Sequence, residues 1–199
     1  MVYSDESKLN LDGSDGLMWC RRPKGVDQLA QRNISERVRR GLGSGKVNVW
    51  GCITPEGVGQ LHRIEGNMNS AQYIEILENA LLPTISDHGY NVRHWIFQQD
   101  NDSKHTSHMA QNWLSNHNIY TLMWPPNSPD LSPIENAWDY LEKQVKKREV
   151  QAQNSEQLWV ALKEEWNQPS FSEYIRKLYE SVPSRMGKLI EAKGLWTKY

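Results

Sequence analysis

Asp5, Asp100 and Glu135 are the residues whose types and placement could do chemistry together. Asp5 lies in the alternating stretch VYSDESKLNL, Asp100 ends the segment RHWIFQQD, and Glu135 opens the helical run IENAWDYLEKQVKKRE behind the prolines of WPPNSPDLSP. If the first strand is central and its parallel neighbour is the strand ending at Asp100, the two aspartates stand side by side. An adjacent helix start can then bring the glutamate to the same point. Three carboxylates at one point repel one another unless a cation neutralises them. Hard oxygen ligands, with no cysteine or histidine at zinc spacing, suit magnesium or manganese. Two such ions can activate a water and stabilise the leaving oxygen of a phosphodiester.

Each carboxylate also has a purely structural explanation. Aspartate followed by asparagine after a strand is ordinary turn chemistry, and Asp5 could sit on an exposed edge strand. SPIE reads as a capping box, with Ser132 as N-cap, Pro133 at the first helical position and Glu135 at the third. His105 and His108 form a rival pair near Asp100 and Asp102, and zinc hydrolysis could use it. The pair lacks the glutamate and third ligand of a recognised zinc motif, and His105 could simply orient the loop. Asn101, Asp102 and His105 are the immediate neighbours of the candidate site.

The elements that must position these residues read as strands first and helices later. VYSDESKLNL is a first strand, GLMWCRR can return as a second, KVNVWGCI is a third, and GVGQLHRI an additional one. Closely linked strands favour an antiparallel meander. NSAQYIEILENALLPTI places Ile74, Leu77 and Leu81 on one helical face behind Asn69 or Ser70 as cap. RHWIFQQD is a buried strand, a helix follows from about Thr106 to Asn116 with Ala110, Trp113 and Leu114 inward, and IYTLMW is another strand. After the proline-rich break come the Glu135 helix and further helices over 155–199, the last ending at Gly194. Alternating β and α elements signal crossover units.

Composition narrows the class. A chain of 199 residues with 38% hydrophobic and 10% aromatic content suits one sizeable core, and no apolar run is long enough for a membrane helix. The first residues lack a signal-peptide pattern, so a soluble, intracellular protein is expected. Cys20 and Cys52 match no zinc or disulfide spacing and read as buried thiols. Net charge is −1, without the overall footprint of a nucleic-acid binder. Locally, Arg21, Arg22, Lys24, Arg32, Arg37, Arg39, Arg40 and Lys46 face only Asp27 and Glu36, and Lys143, Lys146, Lys147 and Arg148 form a second cluster. Such runs are commonly solvated faces, but two of them flanking an acidic site could grip phosphates. There is no Walker loop, dinucleotide fingerprint or nucleophile elbow.

SDESKLNLDGSDG, VNVWGCI, GVGQLHRIEGNMNSAQYIEIL, FQQDNDSKHTS, WPPNSPDLSPIENAWDYL and SVPSRMGKLIEAKGLWTKY occur in that order, and 34 residues separate Asp100 from Glu135. In these blocks and this spacing the chain resembles the catalytic domain of the mariner-like transposases, in the Tc-type branch of the DDE superfamily. The resemblance implies a ribonuclease-H-like α/β fold with a mixed five-stranded sheet, three antiparallel strands first, flanked by helices. It implies one catalytic domain over 1–199, with 21–46 as a basic clamp-like insertion. Asp5, Asp100 and Glu135 become the triad that holds two magnesium or manganese ions. The implied activity is phosphodiester hydrolysis at transposon ends, followed by attack of the freed 3′ hydroxyl on target DNA, typically at TA. Arg21, Arg22, Lys24, Arg37, Arg39, Arg40 and Lys46 are then expected to contact DNA, and a homodimer on paired DNA ends, acting in the nucleus, is implied.

The chain also departs from the pattern. The DNA-recognition helices that normally precede this domain are expected to be absent, with sequence-specific end binding. Only Met1 to Ser4 precede Asp5, so a short, weakened central strand is expected. Asp102 and Ser103 stand where alanine and proline are usual, adding a carboxylate near the metals. Ser132 replaces asparagine, another good cap. Two alternatives to an active core stand open: a transposase-derived protein that binds DNA or a protein without cutting, and a relic too truncated to fold.

Overall fold

The computed structural model describes residues 1–11, 45–90, 95–125, 128 and 131–191. Alternation in VYSDESKLN produces β1 (Val2–Asn10), whose residues point in turn to two different cores. β2 (Lys46–Thr54) pairs with it antiparallel, and β3 (Gly57–Ile64) returns along β2. β4 (Ile96–Gln98) lies parallel to β1, and β5 (Tyr120–Thr121) parallel to β4, giving the order β3-β2-β1-β4-β5. The expected mixed five-stranded sheet is present, three antiparallel strands first. The strand expected over 16–22 lies outside the described residues, so the antiparallel trio is β1, β2 and β3.

β1 is not short. It runs nine residues and is paired on both sides, because Asp5 lies in the interior of the strand and not at its start. The Tyr179 hydroxyl lies 2.9 Å from the Met1 carbonyl oxygen and 2.7 Å from that of Ile53, tying the first residue to the C-terminal helix.

One face of the sheet carries α1 (Ser70–Ile76), α2 (Leu82–Asp87) and α3 (His108–Asn116). Asn69 caps α1, its side chain accepting from the Gln72 amide at 2.9 Å, as the sequence predicts. The predicted single helix is instead α1 and α2 joined by a π-helical stretch, Leu77–Leu81. Pro83, just beyond it, has no N–H to continue the ladder, a known cause of such irregularity. Tyr73, Ile76, Leu77, Ala80 and Leu81 fill this core with Val2, Trp50, Cys52 and Phe97, while Ile74 is only partly buried. Cys52 is a buried free thiol; Cys20 lies outside the described residues.

The other face is covered by α4 (Pro133–Lys147), α5 (Ser155–Trp166) and α6 (Pro169–Glu191), packed on Tyr3, Leu9, Val47, Val49 and Ile53. α6 runs as one helix through Pro183, and the predicted end at Gly194 falls outside the described residues. Gly51 makes this packing possible. A Cβ there would lie 2.7 Å from the Trp138 ring and 3.2 Å from that of Trp166, two indoles stacked with centroids 5.2 Å apart. Only a residue without a side chain lets α4 and α5 approach the centre of the sheet so closely.

Candidate active site

The register of β1 with β4 pairs Val2 with Phe97 and Tyr3 with Gln98. Carried two residues further, the same offset sets Asp5 beside Asp100. α4 begins next to them, and Asp5, Asp100 and Glu135 all line one cleft of about 380 Å³, with Asn101 and Asp102 also on its wall. Trp124 and Pro125 give the cleft an apolar side. The Asn101 amide donates to the Trp124 carbonyl at 2.8 Å, pinning that side to the β4 exit.

The three carboxyls are tuned differently. Burial pushes Asp5 up to about 8, reinforced by the negative charges of Glu135 and Glu6. Its one side-chain donor among the described residues is the Trp138 indole N–H, 3.1 Å from Oδ2. Partial desolvation, then Asp139 and Asp100, raises Glu135. Asp100 is held below the ordinary carboxylate range, chiefly by its hydrogen bond with His105, whose Nδ1 lies 2.6 Å from Oδ1. The Asp102 amide adds a second bond to the same oxygen at 3.0 Å.

The competing structural explanations fare unevenly. Asp100 does shape its turn, through that Asp102 amide. The capping box does not form. Ser132 is the N-cap and Pro133 opens α4, but the Ser132 hydroxyl makes no cap bond and is buried without a partner among the described residues. The Glu135 amide instead reaches the Ser132 carbonyl at 3.2 Å, in a tight first turn that leaves the Glu135 carboxylate out on the cleft wall. The histidine pair does not converge either. His108 is exposed on α3, whereas His105 is buried with Nε2 2.9 Å from Glu6 Oε1 and Nδ1 on Asp100. Burial alone would lower His105, but its bonds to Asp100 and Glu6 prevail and raise it to about 9.

The additional carboxylate of Asp102 is compensated locally. Oδ1 accepts from the Lys104 amide at 3.1 Å, Oδ2 pairs with the Lys104 ammonium, and this pairing lowers the Asp102 carboxyl. Of the residues expected to contact DNA, only Lys46 is described, exposed at the start of β2; Arg21, Arg22, Lys24, Arg37, Arg39 and Arg40 lie outside the described residues. The second basic cluster is partly spent on structure. Arg148 bridges Glu164 at 2.6 Å and Glu165 at 2.9 Å, and Lys146 pairs with Glu142 at 2.9 Å.

Sequence reasoning missed Glu6, Trp138 and Tyr73. Period-two alternation sends Glu6 to the opposite face from Asp5, and Trp138 follows Glu135 by one helical turn, so both had a signal. Tyr73, stacked on His105 with ring centroids 4.2 Å apart, had none.

The donors suit a hard divalent cation. They are carboxylates, joined at the cleft by two residues with buried oxygens that have no partner among the described residues, Gln98 Oε1 and Ser132 Oγ. Among the described residues no three such acidic, histidine or cysteine side chains close into a ready-made cage. That openness is what magnesium tolerates, since it keeps waters and shares its coordination between one or two carboxylates and substrate phosphates.

Comparison with known proteins gives a consistent result. The profile of the DDE superfamily endonuclease family matches residues 1–159. The Tcb1 transposase of Caenorhabditis briggsae is 42% identical over 199 residues, all of this chain and 70% of the relative. The Tc1 transposase of Caenorhabditis elegans is 40% identical over the same span and share. Among solved structures, the Mos1 mariner paired end complex with Mn superposes with a TM-score of 0.73 at 20% identity, over 99% of this chain and 56% of that one. The Mos1 catalytic domain by itself gives 0.69 at 19%, over 99% and 83%. The ribonuclease-H-like fold that the resemblance implies is therefore the one present. With the profile spanning most of its length and transposases of 40% identity or more spanning all of it, the chain belongs to the DDE superfamily endonucleases, among the Tc1-type transposases.

Proposed function

We propose that this chain is the catalytic core of a cut-and-paste DNA transposase, with Asp5, Asp100 and Glu135 holding two magnesium or manganese ions. The observation that carries the reading is the convergence of these three carboxylates on one cleft, with Asp5 pushed up to about 8 by burial and by Glu135 and Glu6. Such a cluster is costly without a cation. The Mos1 catalytic domain structures with Mg and with Mn support a divalent ion, and the Mos1 complexes with transposon ends support DNA as substrate. When bound, such ions supply Lewis acidity toward the phosphodiester and lower the pKa of an attacking water.

The chain's own residues supply placement. β1 and β4 fix Asp5 and Asp100 side by side on rigid backbone, and the first turn of α4 brings Glu135 to them. Trp138 holds Asp5 by one oxygen, and His105 holds Asp100 by one oxygen. Trp124 and Pro125 give one wall of the cleft an apolar surface. Rate enhancement then rests on positioning and electrostatics, with nothing covalent to protein required. In this reading the basic segment 21–46 grips DNA, the working unit is a dimer on paired ends, and the reaction takes place in the nucleus.

The test is titration of Mn²⁺ into the purified chain by calorimetry, beside Asp100→Ala, followed by nicking of duplex DNA. Binding and nicking that both vanish in the variant support the reading. A well-folded parent chain that binds no Mn²⁺ and nicks nothing refutes it.

A further inference from the structure

β1 presents acids to both faces of the sheet. Asp5 points to the cleft and Trp138, and Glu6 points the other way, to His105. The His105 side chain is 3% exposed and wedged between Tyr73 and two carboxylates, with 2.6 Å to Asp100 and 2.9 Å to Glu6. Carboxylates only accept hydrogen bonds, so the ring donates from both nitrogens. Gln99 locks the arrangement from behind, accepting from the Tyr73 hydroxyl and placing its amide nitrogen 3.4 Å from the His105 carbonyl oxygen. Lys104, 3.9 Å from Glu6 and paired with Asp102, balances the added negative charge.

We propose that Glu6 and His105 are a positioning pair for the metal site, gripping Asp100 from the far face of the sheet so that its other oxygen is presented to the cation. The inference rests on the function proposed above. Its geometric core is how Asp100 is used. Oδ1 takes both His105 and the Asp102 amide, leaving Oδ2 without a hydrogen bond among the described residues. Asp100 is half exposed and follows a three-residue strand, so its backbone alone leaves the carboxylate free to rotate. His105 removes that freedom, and Glu6 prevents the imidazole from turning away. A ligand fixed by a histidine whose second nitrogen is itself held by a carboxylate follows the general logic of outer-shell control, where losing a partner costs about 10- to 100-fold in metal affinity or activity.

Five variants of the full chain test this: Glu6→Ala, Glu6→Gln, His105→Asn, His105→Gln and Asp100→Ala. The readouts are Mn²⁺ affinity by calorimetry, thermal unfolding without metal, and kcat and KM for DNA nicking. Glu6→Ala and His105→Gln are expected to weaken Mn²⁺ binding by roughly 10-fold or more and to lower kcat with little change in KM for DNA. Glu6→Gln keeps an acceptor for Nε2–H, and His105→Asn keeps a donor toward Asp100, so both should recover a large part of that loss. If Glu6→Ala lowers the unfolding temperature yet binds Mn²⁺ and turns over like the parent, the pair is merely structural and the inference is overturned. Should Glu6→Ala not fold, His105→Gln with parental affinity overturns it equally. Should Asp100→Ala itself bind Mn²⁺ and nick DNA, the proposed function fails first.

Discussion

The three carboxylates differ in what they contribute to stability, and Asp5 shows this most clearly. Its carboxyl titrates near 8 in the folded chain against an ordinary value of 3.8. Between those values the folded state binds more protons than the unfolded one, so stability falls as pH rises from about 4 to about 8. Asp5→Asn removes the titration while its amide oxygen can still accept from Trp138. The variant should therefore melt above the parent by a margin that widens from pH 5 to pH 8, while losing nicking. Melting curves across that range check it, and a pH-independent margin would show that Asp5 does not titrate as proposed. Mn²⁺ competes with the same proton, so its stabilisation of the parent should also grow over this window and be small in Asp5→Asn. At this scale the candidate triad was legible because strand exits and helix starts are where acidic residues converge. Glu6 and Trp138 had a local signal for their facing, but the groups they hold, His105 and Asp5, lie 99 and 133 residues away in sequence, and no local pattern pairs them. The Ser132 cap was misread because the motif is identical whether its hydroxyl bonds the helix or is buried without a partner.

At the scale of elements, the strands were legible from alternation and the helices from their apolar faces, while their ends and interruptions were set by partners. β5 shrinks to two residues because its side chains are exposed and only β4 supports it. The π-helical stretch before α2 has no periodic signature. Gly51 is the element-scale determinant of the site, since it lies opposite Asp5 in the β1 and β2 ladder and under Trp138. Gly51→Ala would push a methyl group into an indole already stacked on Trp166, which overpacks the core at a cost of about 1–3 kcal/mol. The displaced Trp138 should also lose its hold on Asp5. The expected result is a lower melting temperature together with nicking reduced beyond what the unfolded fraction explains. A Gly51→Ala chain with parental melting and activity would mean that Trp138 adjusts without consequence.

Over the whole molecule, the sheet is stabilised by two separate cores, and the candidate site lies where the short β4 ends beside the middle of β1. The profile match ends at residue 159, before α6 begins, which invites the view that α6 is an accessory. The packing opposes that view. Phe171, Ile175 and Leu178 are 1%, 0% and 7% exposed, against the same core as Tyr3, Ile53 and Trp166, and Tyr179 reaches the carbonyls of Met1 and Ile53. Burying each large apolar side chain contributes about 1.5–3 kcal/mol, and whole domains are stable by only about 5–15 kcal/mol. Deleting residues 169–199 therefore removes an amount comparable to the entire stability and uncovers the apolar side chains of β2 and β3 together with Tyr3 of β1. The shortened chain should lose its cooperative thermal transition and expose hydrophobic surface to a dye, even though the carboxylates of the site are untouched. The milder Tyr179→Phe, which removes only a hydroxyl shared by two carbonyls, should cost about 0.5–1.5 kcal/mol and leave the transition sharp. A truncated chain that still melts sharply at the parental temperature would make α6 peripheral. The first strand would then draw its stability from β2, β4 and the α4 side of the core.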